Sequence, residues 1–292
     1  LQLWTQIVGK IRLALMPWLN HSWHVTLRVT VRGLATPLIS TPTHDFQIEL
    51  DFIDHALWIR TADGHTRQVM LRSVSVAEFY ADVMIALNEL GISVRIDEMP
   101  NEIADAIPFS EDRVHAAYDA EYAIRFWRVL LRAHAAFSHF RTAFLGKASP
   151  VQFFWGSFDL AVTRFSGRRA PPHPGGVPHL PDAVAREAYS HEVSSAGFWP
   201  GGRPIEHAAF YSYAYPAPEG FAAARVRPAQ AFFSKELGEF LLPYDAVRTA
   251  PDPDAALMEF LQSTYEAAAD AAKWDRANLE CAQGEIGKPR LV

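Results

Sequence analysis

Cysteine is almost missing from this chain. Cys281 is its only one, so no intrachain disulfide and no thiolate metal cluster can form, and a bound metal would need His, Asp or Glu ligands. Runs of like charge are missing too. Lys and Arg total 27 against 33 Asp and Glu, and the net charge of −6 provides no broad basic field for phosphates, which argues against nucleic acid as a partner. No apolar run is long enough to cross a bilayer. The nearest candidate, LQLWTQIVGKIRLALMPW at residues 1–18, is interrupted by Lys10 and Arg12 and reads as an amphipathic helix packed on the domain. No membrane partner is expected, and the single cysteine fits a cytoplasmic protein. The G-x-S-x-G elbow, the H-E-x-x-H helix and the phosphate-binding glycine fingerprints are also lacking, so standard hydrolases, zinc proteases and nucleotide cofactors gain no support.

What is present is enough apolar material for a substantial core: 292 residues at 49% hydrophobic, compatible with one large domain or two. From Ser22 to Arg32 apolar and polar residues alternate, which predicts a half-buried strand. FQIELDF predicts another, and ALWIR and RQVML flank the Ala62-Asp63-Gly64 turn as a hairpin. A helix follows, capped by Ser75, with Val76, Phe79, Tyr80, Val83 and Leu87 at helical spacing and Gly91 at its end. Residues 110–144 hold almost no Gly or Pro and predict one or two central helices. Strand-like segments then return in FFWGSFDLAVTRF, EAYSHEVSSAGF, AAFYSYAY and EFLLPYDAV, and a helix capped by Asp252 closes the run. The expected fold is α+β: two antiparallel sheet-plus-helix halves, 1–109 and 148–292, joined by central helices at 110–147 and forming one compact unit.

If residues 153–165 are one strand, Trp155, Ser157, Asp159 and Thr163 share a face opposite Phe154, Phe158, Leu160 and Arg164. Tyr189 and His191 on the next strand, and Tyr211 and Tyr213 on the one after, would complete an aromatic cleft for a small aromatic or anionic metabolite. In it Trp155, Tyr189, Tyr211 and Tyr213 stack the ligand, Ser157 hydrogen-bonds it, and Arg164 or Arg168 clamps an anionic group. His191 with Asp159 would form a proton-transfer pair, with Glu192 the alternate should the faces be reversed. The plainer reading is an ordinary amphipathic sheet face.

Two other readings stay open. On a helix, Asp112, His115 and Asp119 fall at i, i+3 and i+7, a face on which a divalent metal can sit, with His21 or His24 to complete it; the same residues also suit a solvated helix start. Alternatively, the aromatics of FWPGG and YAYPAP form a partner surface and the protein is a non-catalytic binding or assembly module. The sequence names no cofactor beyond that possible metal and leaves the oligomeric state undefined.

Four long segments, PVQFFWGSFDLAVTRFSGRRAPPHPGG, AYSHEVSSAGFWPGG, FYSYAYPAPEGF and WTQIVGKIRLALMPWLNHSWH, together resemble a bacterial family known only as a domain of unknown function. The resemblance spans nearly the whole chain and implies a soluble protein treated as one unit, without bringing an activity, cofactor or substrate. Members often carry His where this chain has Gln152, so the resemblance supports no metal role at that position.

Overall fold

In the computed structural model, which describes residues 1–202 and 204–290, the chain is α+β with two antiparallel sheets. It opens with helix α1 (Gln2–Leu15). A 3₁₀ turn at Asn20–Ser22 leads into β1 (Arg28–Val29), β2 (Gly33–Ala35), β3 (Ile39–Ser40), β4 (Asp45–Asp51), β5 (Ala56–Thr61) and β6 (Thr66–Met70). Helices α2 (Val76–Glu89) and α3 (Ala120–Arg141) follow, then β7 (Gln152–Phe154), β8 (Asp159–Arg169), α4 (Asp182–Ala188), β9 (His191–Trp199) and β10 (Ala209–Tyr215). The last elements are β11 (Phe232–Ser234), β12 (Glu239–Pro243), α5 (Tyr244–Arg248), α6 (Pro253–Ala271) and α7 (Arg276–Leu279).

The residues divide into two compact units. The first comprises 1–131, 153–158 and 174–188, and the second 132–152, 159–173 and the chain from Tyr189 on. Helix α3 lies between the two sheets in chain order and supplies residues to both units.

In the first unit the strand order is β1-β2-β4-β5-β6, with β3 also on β4. Phe46, Ile48 and Leu50 alternate inward along β4 as their period of two requires, while Gln47 faces solvent. Ser75 caps α2 in a full capping box: its hydroxyl accepts from the Glu78 amide at 3.2 Å, and the Glu78 carboxylate accepts from the Ser75 amide at 3.0 Å. Helix α1 is buried on more sides than a simple amphipathic helix. Trp4 stacks on Phe79 of α2 at 4.3 Å, while Gln6 and Lys10 reach the backbone carbonyls of Asn101 and Met99 at 3.0 and 2.6 Å. These polar side chains satisfy an irregular segment that has no ladder of its own.

Several expected elements end sooner than their periodicity suggests. Only Arg28 and Val29 of the 22–32 run form β1, because His21 and Ser22 adopt positive φ (58° and 56°) and Thr30 turns back to Gly33 through a 2.9 Å backbone bond. The central helix starts at Ala120, not near Ser110. Asp112 instead closes a side-chain turn onto the amides of Val114 and His115 at 3.1 and 3.0 Å, an alternative that short acidic side chains offer the backbone. Asp119 then caps α3, accepting from the Tyr122 amide at 3.0 Å. The 153–165 run is broken at residues 155–158 by a turn in which Phe158 has φ of 62°. The segment before His191 is helical in α4, and EFLLPYDAV leaves the sheet at Pro243 to enter α5.

In the second unit the sheet runs β11-β12-β10-β9-β8, every pair antiparallel. Its even-numbered face carries Leu160, Phe198, Phe210 and Leu242 and is covered by helices: Phe210 meets Phe137 of α3 edge-on at 6.3 Å. Asp252 caps α6 by accepting from the Ala255 amide at 3.0 Å, and Leu257, Phe260, Leu261, Thr264, Tyr265 and Ala268 form its buried stripe as the 3.6-residue period predicts.

Candidate functional site

Trp155 and Ser157 lie in the turn, in the first unit, and not on the strand with Asp159. The Trp155 indole N–H donates to the Val25 carbonyl at 2.7 Å, and the ring packs directly over Gly9, where any Cβ would overlap it. With 6% of its surface exposed, Trp155 is a core residue. Ser157 donates to a carboxylate oxygen of Glu102 at 2.7 Å, a partner more than fifty residues away that no local spacing announces.

In the second unit the odd-numbered face is polar and aromatic. Asp159 and Tyr211 lie on β8 and β10 with β9 between them, and the register places Gly197 opposite Tyr211 and Ala161. Lacking a side chain, Gly197 lets the Tyr211 ring lie across β9 and donate its hydroxyl hydrogen to Asp159. Tyr213 runs nearly parallel to Tyr211 with centroids 6.0 Å apart; its hydroxyl meets that of Tyr189 at 2.9 Å, and Thr163 meets Ser195 at 2.8 Å. Burial pushes both Tyr211 and Tyr213 well above the usual phenol range, so both stay protonated donors. Burial, and next the charge of Asp159, pushes the Glu239 carboxyl up to about 7.

The structure brings Asp159, Tyr211, Tyr213 and Tyr189 onto one face but leaves His191 far from Asp159. Leu160, next to Asp159, pairs with Phe198, whereas His191 pairs with Arg169 at the other end of β8. Seven positions along β9 separate His191 from Phe198, roughly 23 Å at the usual rise per residue. The His191 ring instead meets its neighbour Ser190 at 3.1 Å.

At that far end, where β9 begins and β10 ends beside the C-terminus of α6, the second unit contains a cleft of about 250 Å³. Arg168, Glu192, Tyr215, Pro216, Ala272 and Trp274 are among its lining residues. Arg168 donates to one oxygen of Glu192 from both Nε (3.0 Å) and Nη2 (2.7 Å), and again to the Ala272 carbonyl at 2.6 Å. Ser166 donates to that same Glu192 oxygen at 2.9 Å, so Oε2 is saturated while Oε1 accepts nothing from the described residues. Tyr215 links the cleft to an aromatic group: its ring lies 5.1 Å from Tyr189 and 5.2 Å from His173, and His173 stacks on Tyr189 at 4.8 Å.

Of the cleft's lining residues the sequence singled out Arg168, as an anion clamp, and Glu192, as an alternate proton-transfer group, but not Trp274, which stands beyond the end of α6, more than a hundred residues from Arg168. The only local signal was an aromatic residue just past a helix terminus. Arg164 is not in the cleft: it is 1% exposed on the opposite face, its guanidinium 3.5 Å from the Phe140 centroid and 4.4 Å from that of Tyr265. Burial pulls its pKa down to about 10, against the opposing effects of Tyr265 and Glu280, so it remains a cation. It forms no ion pair among the described residues and donates instead to the Phe140 carbonyl. Phe198 of FWPGG is likewise buried, against Phe210 and Tyr244, and contributes nothing to a partner surface.

The metal reading loses its helical geometry, because residues 112–119 are not helical. His115 Nδ1 lies 2.8 Å from Asp112, but Asp119 is engaged as the α3 cap. His21 meets the Ala188 carbonyl at 2.7 Å and His24 accepts from the Leu19 amide at 3.2 Å, both backbone roles at the end of the 3₁₀ turn. Among the described residues no three His, Cys, Asp or Glu side chains form a group able to hold a metal ion, and no helix is long and apolar enough to cross a membrane.

The model of a family of unknown function (DUF5996) matches residues 1–281. No curated protein and no solved structure matches the chain.

Proposed function

The chain belongs to that family of unknown function, and from this premise we propose that it binds a small aromatic metabolite in the cleft of the second unit. The observation that carries this reading is the cleft itself: about 250 Å³ of space bordered by an indole, a phenol and a charged pair. Binding sites for small molecules combine a mostly apolar wall with a few fixed polar groups, and the mixture of Trp274, Tyr215 and Pro216 with Arg168 and Glu192 has that character. The volume suits a single-ring compound with a short polar arm. Because His191 and Asp159 share no site, we assign binding alone, without a reaction.

Titration of the intrinsic tryptophan fluorescence with single-ring aromatic compounds tests the proposal. Saturable quenching that Trp274→Leu abolishes is expected. Absence of any saturable change in the wild-type protein, together with an unchanged melting temperature, overturns it.

A further inference from the structure

We infer that the cleft selects an organic cation, an aromatic compound bearing a protonated amine, over its neutral or anionic analogues; this rests on the cleft being a binding site as proposed above. Arg168 looks like an anion clamp in the sequence, yet in the fold four of its five N–H donors are already directed. Nε and Nη2 face Glu192, Nη2 also faces the Ala272 carbonyl, and Nη1 reaches the Lys273 carbonyl at 3.4 Å. A ligand carboxylate would find a single Nη1 hydrogen without an acceptor and would meet the Glu192 carboxylate at close range.

The acceptors are differently placed. Glu192 Oε1 takes no hydrogen bond from the described residues, and Glu192 lines the cleft with 18% of its side chain exposed. The Arg168 and Glu192 charges cancel to first order. The C-terminal end of α6, whose Ala268 and Ala272 line the cleft, adds the partial negative charge of its carbonyl dipoles, part of which Arg168 already meets at the Ala272 and Lys273 carbonyls. Tyr215 and the largely buried Trp274 also border the cleft, and aromatic rings attract a cation through their quadrupoles. An ammonium therefore finds an open carboxylate oxygen, a helix C-terminus and two aromatic walls, while an anion finds the same groups repulsive.

Three probes share one skeleton and differ only in charge: phenethylamine, 2-phenylethanol and phenylacetate, each titrated at neutral pH against the full chain with calorimetry. The amine should bind about tenfold more tightly than the alcohol, with phenylacetate weakest, the scale expected for one charge-assisted hydrogen bond with cation–π support. Glu192→Gln should erase the preference of amine over alcohol. Equal binding of amine and alcohol, or tighter binding of phenylacetate, overturns the cation inference but leaves the aromatic cleft standing. If none of the three binds, the cleft proposal falls as well. The wild-type comparison decides between these outcomes even if Glu192→Gln does not fold.

Discussion

Tyr211 donates its hydroxyl hydrogen to Asp159 from two strands away, passing over the one position of the intervening strand that lacks a side chain. A Cβ at Gly197 would overlap the Tyr211 ring and fall 2.5 Å from the Leu160 carbonyl oxygen, so the crossing depends on glycine.

Gly197→Ala should therefore cost about 2–3 kcal/mol, since strand backbone and a buried ring must both give way. Tyr211→Phe keeps the ring and removes only the donor to a buried carboxylate, at about 1–2 kcal/mol. Urea unfolding of both variants checks the order: a Gly197→Ala protein as stable as wild type would mean that Tyr211 does not lie across β9.

Glu239 makes stability depend on pH. Its folded pKa, about 7, lies above the usual glutamate value of 4.5, so between these values the folded state holds a proton that the unfolded state has lost. Its contribution to stability is thus complete below about pH 4.5 and is lost as the pH rises through 7. Glu239→Gln should match wild type near pH 4.5 and exceed it at pH 8 by on the order of 2 kcal/mol. Urea midpoints measured for both proteins across that range provide the test, and a difference that does not change with pH removes Glu239 as its source.

Arg164 is packed among the rings of Phe140, Phe144 and Tyr265 with no carboxylate partner within ion-pair distance among the described residues. Truncation in Arg164→Ala leaves a cavity and should cost about 3 kcal/mol. Arg164→Met refills the space without a buried charge and should stay within about 1 kcal/mol of wild type. Thermal unfolding separates the two. If both variants lose stability equally, the charge and not the packing holds this region.

The capping box of α2 offers a local control. Ser75→Ala removes the acceptor for the Glu78 amide and should destabilise by about 1 kcal/mol, with ligand titrations in the cleft unchanged. A larger loss would show that Ser75 supports more than the first turn of the helix.

Helices α2 and α6 were legible in the sequence because the determinants of a helix are local: Ser75 and Glu78, or Asp252 and Pro253, lie within one turn of the groups they satisfy, and the apolar stripes repeat every 3.6 residues. The β4 to β6 meander was legible for the same reason, its alternation ending at a glycine turn. The run at 153–165 was not. Its alternation continues through residues 155–158, but the chain turns there, with Trp155 bonded to Val25 and Ser157 to Glu102, partners that no window of sequence contains.

By itself, then, the sequence determined which residues are apolar, where helices start and stop, and that two sheet-forming regions flank a helical segment. Only the tertiary structure decided which polar residues meet. Asp159 faces Tyr211 and not His191 because strand register, set by long-range pairing, separates positions that parity alone places on one face. Arg168 is held by Glu192 and the end of α6 because the α6 C-terminus, remote in sequence, packs against the start of β9. Contacts of that range arise from burial of the whole core, and no short stretch of chain encodes them.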